Sequence, residues 1–162
     1  MRLPSRFFLK MRKVPLNKQV IISRIEEIRR CLSELKKFSQ LSFDEFKKNY
    51  NFAISEHFLR RALEAVFDIG SHILSRIPGA RASTYKEIAL LLSKEGILPS
   101  DFVKAKLIKM AGYRNRLVHF YYEVSKEELY YILQENLDDI EKFCLYITKI
   151  LKSPENWNLQ VE

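Results

Sequence analysis

A chain of 162 residues is long enough to enclose one hydrophobic core and short for two independent ones. Four glycines and five prolines leave few backbone breakers among abundant Leu, Ile, Lys and Glu, which excludes a many-stranded β architecture and points to long helices. The net charge is +8, but Arg2, Arg6, Lys10, Arg12 and Lys13 supply five of those charges before residue 14 and leave +3 for the body, so basicity alone carries little weight as a sign of nucleic acid binding.

From Leu16 to about Phe38 the apolar residues Ile21, Ile25, Ile28, Leu32 and Leu35 step by four and three, which predicts a first helix with one buried face. Ser42 followed by Glu45 has the capping-box pattern, and a second helix is expected from there through Ala53, Ala62, Ala65 and Ile69 to about Arg76, ended by Pro78-Gly79. A shorter helix is predicted over Tyr85 to Lys94, capped by Ser83 or Thr84 and closed by Gly96. Pro99-Ser100 starts the next, over residues 101 to 118 or 122. A second capping box, Ser125 to Glu128, opens a last helix carrying Leu133, Leu137, Ile140, Cys144, Ile147 and Leu151.

These elements predict an all-α, up-and-down bundle of about five helices over residues 14–152. Residues 1–13 are expected to form a flexible basic extension and residues 153–162 a loose C-terminal tail. Cys31 and Cys144 lie far apart in apolar stretches without metal-ligand spacing, and are expected to be reduced core residues of a cytoplasmic protein. No apolar run approaches the length needed to cross a bilayer, and Met1 to Val14 lacks the uninterrupted apolar core of a signal peptide. No membrane association is expected.

Of the three histidines, His119 alone stands in a dense cluster of phosphate-binding and reactive groups: Arg114, Asn115, Arg116, Tyr121 and Tyr122. Composition alone would fit an amphipathic helix end with snorkelling cations. The spacing is more specific: Arg114, four residues, His119, one residue, Tyr121 is an R-x4-H-x-Y motif with Asn directly after the Arg. Three further segments stand in the same order as in one known family: Ala62-Leu-Glu-Ala-Val-Phe-Asp68-Ile-Gly-Ser-His72, Tyr85-Lys-Glu-Ile, and Met110-Ala-Gly-Tyr-Arg-Asn. Over about residues 16 to 151 the chain thus resembles the HepT branch of the HEPN proteins.

The resemblance implies a homodimeric toxin ribonuclease acting on mRNA or tRNA, paired with a minimal nucleotidyltransferase (MNT) antitoxin that adds AMP to the motif tyrosine, here Tyr121. The residues are compatible with that chemistry by themselves. Cleavage of RNA through its own 2′-hydroxyl needs a group that moves protons near neutral pH and a cation that stabilises the charged phosphorane. His119 suits the first role and Arg114 the second. At about 100° per residue, Tyr121 returns nearly to the face of Arg114, whereas His119 points roughly 140° away. Either the helix loosens near Val118, or the site is composite, with Arg114 and His119 contributed by two protomers across a two-fold axis.

Supporting roles follow with their alternatives. Asn115 could hold the histidine or a phosphate oxygen, or cap the helix end. Arg116 and Tyr122 could contact RNA, although a surface Arg is commonly just solvated. His57, Arg61, Glu64, Asp68 and His72 step along one face of the second helix, a pattern usual for a solvent face. Asp68 and His72 belong to the family-like segment and are expected to support the site, Asp68 by pairing with Arg114. No histidine and carboxylate set repeats at ligand spacing, so neither a metal nor another cofactor is expected. A non-catalytic module binding a nucleotide or RNA, docked to a nucleotidyltransferase, is the alternative to an enzyme. A plain dimerisation scaffold would leave the Arg, Asn, His, Tyr cluster without a reason.

Overall fold

The computed structural model describes residues 14–119 and 123–162; the basic segment 1–13 and residues 120–122, among them Tyr121 and Tyr122, lie outside the described residues. The protein is an all-α bundle, as its periodicity predicts. Helix α1 is Lys18–Ser39, with Asn17 as N-cap: its side chain accepts from the Val20 N–H at 3.1 Å. The stripe Ile21, Ile25, Ile28, Leu32 and Leu35 is buried, and it packs along the helix Asn51–Leu74 (α3), the most extensive helix pair of the fold.

The expected second helix is two. Ser42 caps as its sequence predicts, accepting from the Glu45 N–H at 3.2 Å, but it opens only the single turn α2, Phe43–Phe46. Asn49 then takes a positive φ of 55°, a left-handed conformation that no helix interior tolerates and that Asn adopts more readily than most residues. The Asn51 amide donates to the Glu45 carbonyl at 3.0 Å, and α3 runs over Asn51–Leu74. Helix α4, Tyr85–Lys94, has the predicted bounds. Thr84 is its cap, accepting from the Glu87 N–H at 3.1 Å, while the N–H and hydroxyl of Ser83 donate to the Glu87 carboxylate at 2.6 and 2.8 Å. Gly96, at φ 70°, closes it.

The next helix begins at Ser100–Phe102, passes through a π-helical turn at Val103–Leu107 and continues as Ile108–Val118; residues 100–118 are called α5 below. The expected last helix is also two: Asn136, at φ −118° and ψ −4°, ends α6, Lys126–Glu135, and begins α7, Leu137–Lys152. Ser125 is the predicted cap, accepting from the Glu128 N–H at 3.1 Å. The four-three rhythm runs through this break because Leu133 and Leu137 are buried on both sides of it.

Helix α3 is central, touching α1, α4, α5, α6 and α7. Gly70 permits the close approach of α4: a Cβ there would stand 2.8 Å from the Ile88 Cγ2. Tyr130 of α6 stacks on Phe43 and Phe46 and donates its hydroxyl to the Leu41 carbonyl at 2.7 Å, which fastens the α1–α2 connection. Cys31 and Cys144 are buried and free, as expected, and burial pushes the Cys144 thiol up to about 12. No helix among the described residues is long and apolar enough to cross a membrane.

The tail is not loose. After the 3-10 turn Pro154–Trp157, Leu159 is buried and Val161 forms a parallel β-bridge with Leu16. The Leu16 N–H donates to the Gln160 carbonyl at 2.7 Å and its own carbonyl accepts from the Glu162 N–H at 2.9 Å. An amphipathic period cannot reveal a segment this short; two apolar residues in extended backbone suffice to cover the N-terminal end of the core.

Candidate active site

Arg114 lies on the last two turns of α5, on the side facing α3. Its side chain is only 18% exposed. The guanidinium carbon stands 4.4 Å from the centre of the Tyr85 ring, close enough for a cation–π contact, and Tyr85 in turn packs on Phe67 of α3 at 5.1 Å between centroids. The nearest carboxylate is Glu64, whose Oε1 is 3.7 Å from an Arg114 terminal nitrogen. That separation is an ion pair but no hydrogen bond. The Arg114 Nε is buried without a hydrogen-bond partner among the described residues. The cation is thus fixed in place and incompletely satisfied, a state suited to receiving a phosphate oxygen.

Val118 is the last helical residue, and His119 leaves in extended backbone at φ −95° and ψ 118°, its N–H still donating to the Asn115 carbonyl at 3.2 Å. His119 is exposed. The helix thus ends at Val118, as the first of the two expected arrangements requires, but no contact among the described residues joins His119 to Arg114. Asn115 is exposed, and its backbone carbonyl is the group that holds His119.

Three expected supporting roles are corrected. Asp68 does not pair with Arg114; it stands 3.5 Å from Arg24 of α1, and Glu64, one turn earlier on α3, takes that place. His72 is eight residues from Glu64, about 12 Å along the helix, and its Nε2 accepts the Asn17 N–H at 3.0 Å. It therefore joins the C-terminal end of α3 to the cap of α1. Burial, with a smaller contribution from Arg76, holds its imidazole below the ordinary pKa, consistent with a neutral acceptor. Arg116 is committed to Glu128: both terminal nitrogens reach that carboxylate, one at 2.7 Å, and one also contacts the Glu123 carbonyl at 3.3 Å. This fork bridges the end of α5 to the start of α6 and leaves no free cation for RNA.

Sequence reasoning passed over Tyr85 and the partner role of Glu64. Tyr85 opens a helix and Glu64 lies on a polar stripe, so neither carries a local signal; only the packing of α3, α4 and α5 brings them to Arg114. Among the described residues no group of three His, Cys, Asp or Glu side chains comes together as a metal site.

The family model for HepT-like ribonucleases matches residues 28–147. The chain is 31% identical to the tRNA nuclease HepT of Aphanizomenon flos-aquae (strain 2012/KM1/D3) over 132 residues, 81% of this chain and 87% of that protein. It is 29% identical to the mRNA nuclease HepT of Shewanella oneidensis (strain MR-1) over 127 residues, 76% of this chain and 92% of that one. Among solved structures, the tri-AMPylated Shewanella oneidensis HEPN toxin in complex with MNT antitoxin superposes with a TM-score of 0.73 at 26% identity, covering 80% of this chain and 97% of that one. The chain belongs to the HepT-like ribonuclease family and is an endoribonuclease.

Proposed function

We propose that the protein is the toxin of a toxin–antitoxin pair and that Arg114 and His119 carry its RNA cleavage without a metal. His119 moves the protons of the 2′-hydroxyl attack and leaving-group departure, and Arg114 stabilises the charge that develops on the phosphorus oxygens. The observation that carries this reading is the Arg114 guanidinium, mostly buried on Tyr85, held by one long ion pair and with Nε unsatisfied, on the helix end that delivers the exposed His119. A homodimer, with each cleavage centre drawing on both protomers, fits the lack of any contact between His119 and Arg114 among the described residues.

The antitoxin in this proposal is an MNT-type nucleotidyltransferase that transfers AMP to Tyr121, as the modified state of the Shewanella toxin suggests. Adenylylation adds a negative charge and a bulky base to the same R-x4-H-x-Y motif, competing with the RNA phosphate. An mRNA or tRNA substrate supports a cytoplasmic location in this proposal. The test is cleavage of RNA in excess EDTA by the purified protein and by His119→Ala. The parent should cleave, and the variant should lose about 10²–10⁴-fold. A near-normal variant, or activity that returns only with added magnesium, overturns the assignment.

A further inference from the structure

Two clefts meet at Arg60 on α3. One, of about 140 Å³, is lined by Ala53, Glu56, His57, Arg60 and Leu117; the other, of about 270 Å³, shares His57 and Arg60 and includes Glu64. Glu64 contacts Arg114 while Arg60 shares a cleft with Leu117, so α3 and α5 run antiparallel here. Arg60 therefore lies between Glu64, the partner of Arg114, in one cleft and Leu117, two residues before His119, in the other.

The arginines around this groove differ in one respect. Arg24 pairs with Asp68, Arg61 with Glu27, Arg114 with Glu64 and Arg116 with Glu128. Arg60 is half-buried and makes no ion pair or hydrogen bond among the described residues. Glu56 lines one of the same clefts, and its carboxyl is pushed up first by burial and then by Glu123, with Arg60 lowering it as the smallest influence. A partly buried guanidinium that no carboxylate among the described residues pairs with, in clefts that reach Glu64 on one side and Leu117 on the other, is a site for an external anion.

We propose that Arg60 is a substrate-binding residue: it holds a backbone phosphate of the RNA adjacent to the scissile one and sets the path of the strand along α3. This rests on the ribonuclease reading and adds to it the direction in which RNA crosses the site. Such a contact is made equally in ground and transition states, so its loss raises KM and leaves kcat nearly unchanged.

The experiment compares the parent with Arg60→Gln, Arg60→Lys and, as a distant control, Arg29→Gln. Binding of single-stranded 2′-O-methyl RNA, which lacks the attacking hydroxyl, is measured by fluorescence anisotropy across a salt series, with cleavage of unmodified RNA in parallel. Arg60→Gln should weaken binding several-fold and reduce the magnitude of the log K against log salt slope by about 0.7, the value for one phosphate contact on a single strand. KM should rise with kcat within about twofold, and Arg60→Lys should keep the slope. Unchanged slope and KM in Arg60→Gln, or the same loss in Arg29→Gln, overturns the proposal. Failure of the parent to cleave RNA would instead refute the ribonuclease reading, while the binding series still judges Arg60.

Discussion

Tyr85→Leu removes the surface on which the Arg114 cation rests and keeps an apolar side chain of related size. The guanidinium carbon is 4.4 Å from the ring centre and the Arg114 side chain is 18% exposed, so the upper part of the cation–π range applies, about 1–2 kcal/mol. At 1.36 kcal/mol per tenfold, that is roughly a 5–30-fold loss in kcat/KM if the whole contact serves to place Arg114. Because the placed cation acts on charge that develops during reaction, kcat should fall by about the same factor. Loss of the contact with Phe67, at 5.1 Å, costs a further ~0.5–1.5 kcal/mol in stability. Rates are therefore compared well below the melting transition, with folded fraction checked by circular dichroism. Tyr85→Phe keeps the ring and should stay within about twofold of the parent. A fully folded Tyr85→Leu with unchanged kcat/KM would refute the idea that this ring positions Arg114.

Acidification should weaken the fold through His72. Its folded pKa is lowered, so above the ordinary value of about 6.5 both folded and unfolded states carry neutral imidazole, and stability is lost as pH falls below that value and only the unfolded chain takes up the proton. Urea unfolding between pH 7.5 and 5 should show this decline, and a comparable decline in His72→Gln would exclude His72 as its source. Gly70→Ala should lower the melting temperature: the new Cβ meets Ile88 at 2.8 Å and Leu92 at 3.1 Å, an overpacking cost of about 1–3 kcal/mol against roughly 1 kcal/mol gained in helix propensity. A rise in melting temperature would show that α4 shifts freely.

Local chemistry made the helix starts readable, because Ser42, Thr84 and Ser125 cap through bonds to residues three positions on. The helix breaks were not. Asn49 and Asn136 interrupt stripes whose apolar spacing continues on both sides, and Asn in a helical pattern is too common to mark a stop. At the candidate site, the R-x4-H spacing is enough to single out Arg114 and His119, which share one helix end. The partner of Arg114 depends on which turn of α3 lies opposite. Glu64 and Asp68 differ by one turn, about 6 Å, and both carry a carboxylate; only the α3–α5 packing distinguishes them.

The bridge between Leu16 and Val161 also orders events in the life of the chain. It joins residues 16 and 161, and such a non-local contact closes late, after the loop between its ends has been organised by nearer contacts. The entry into α1 is therefore sealed only once residues 159–162 have been synthesised, and a chain interrupted before them would keep its capping boxes and helices but leave Leu16 and the start of the Ile21 stripe open to solvent.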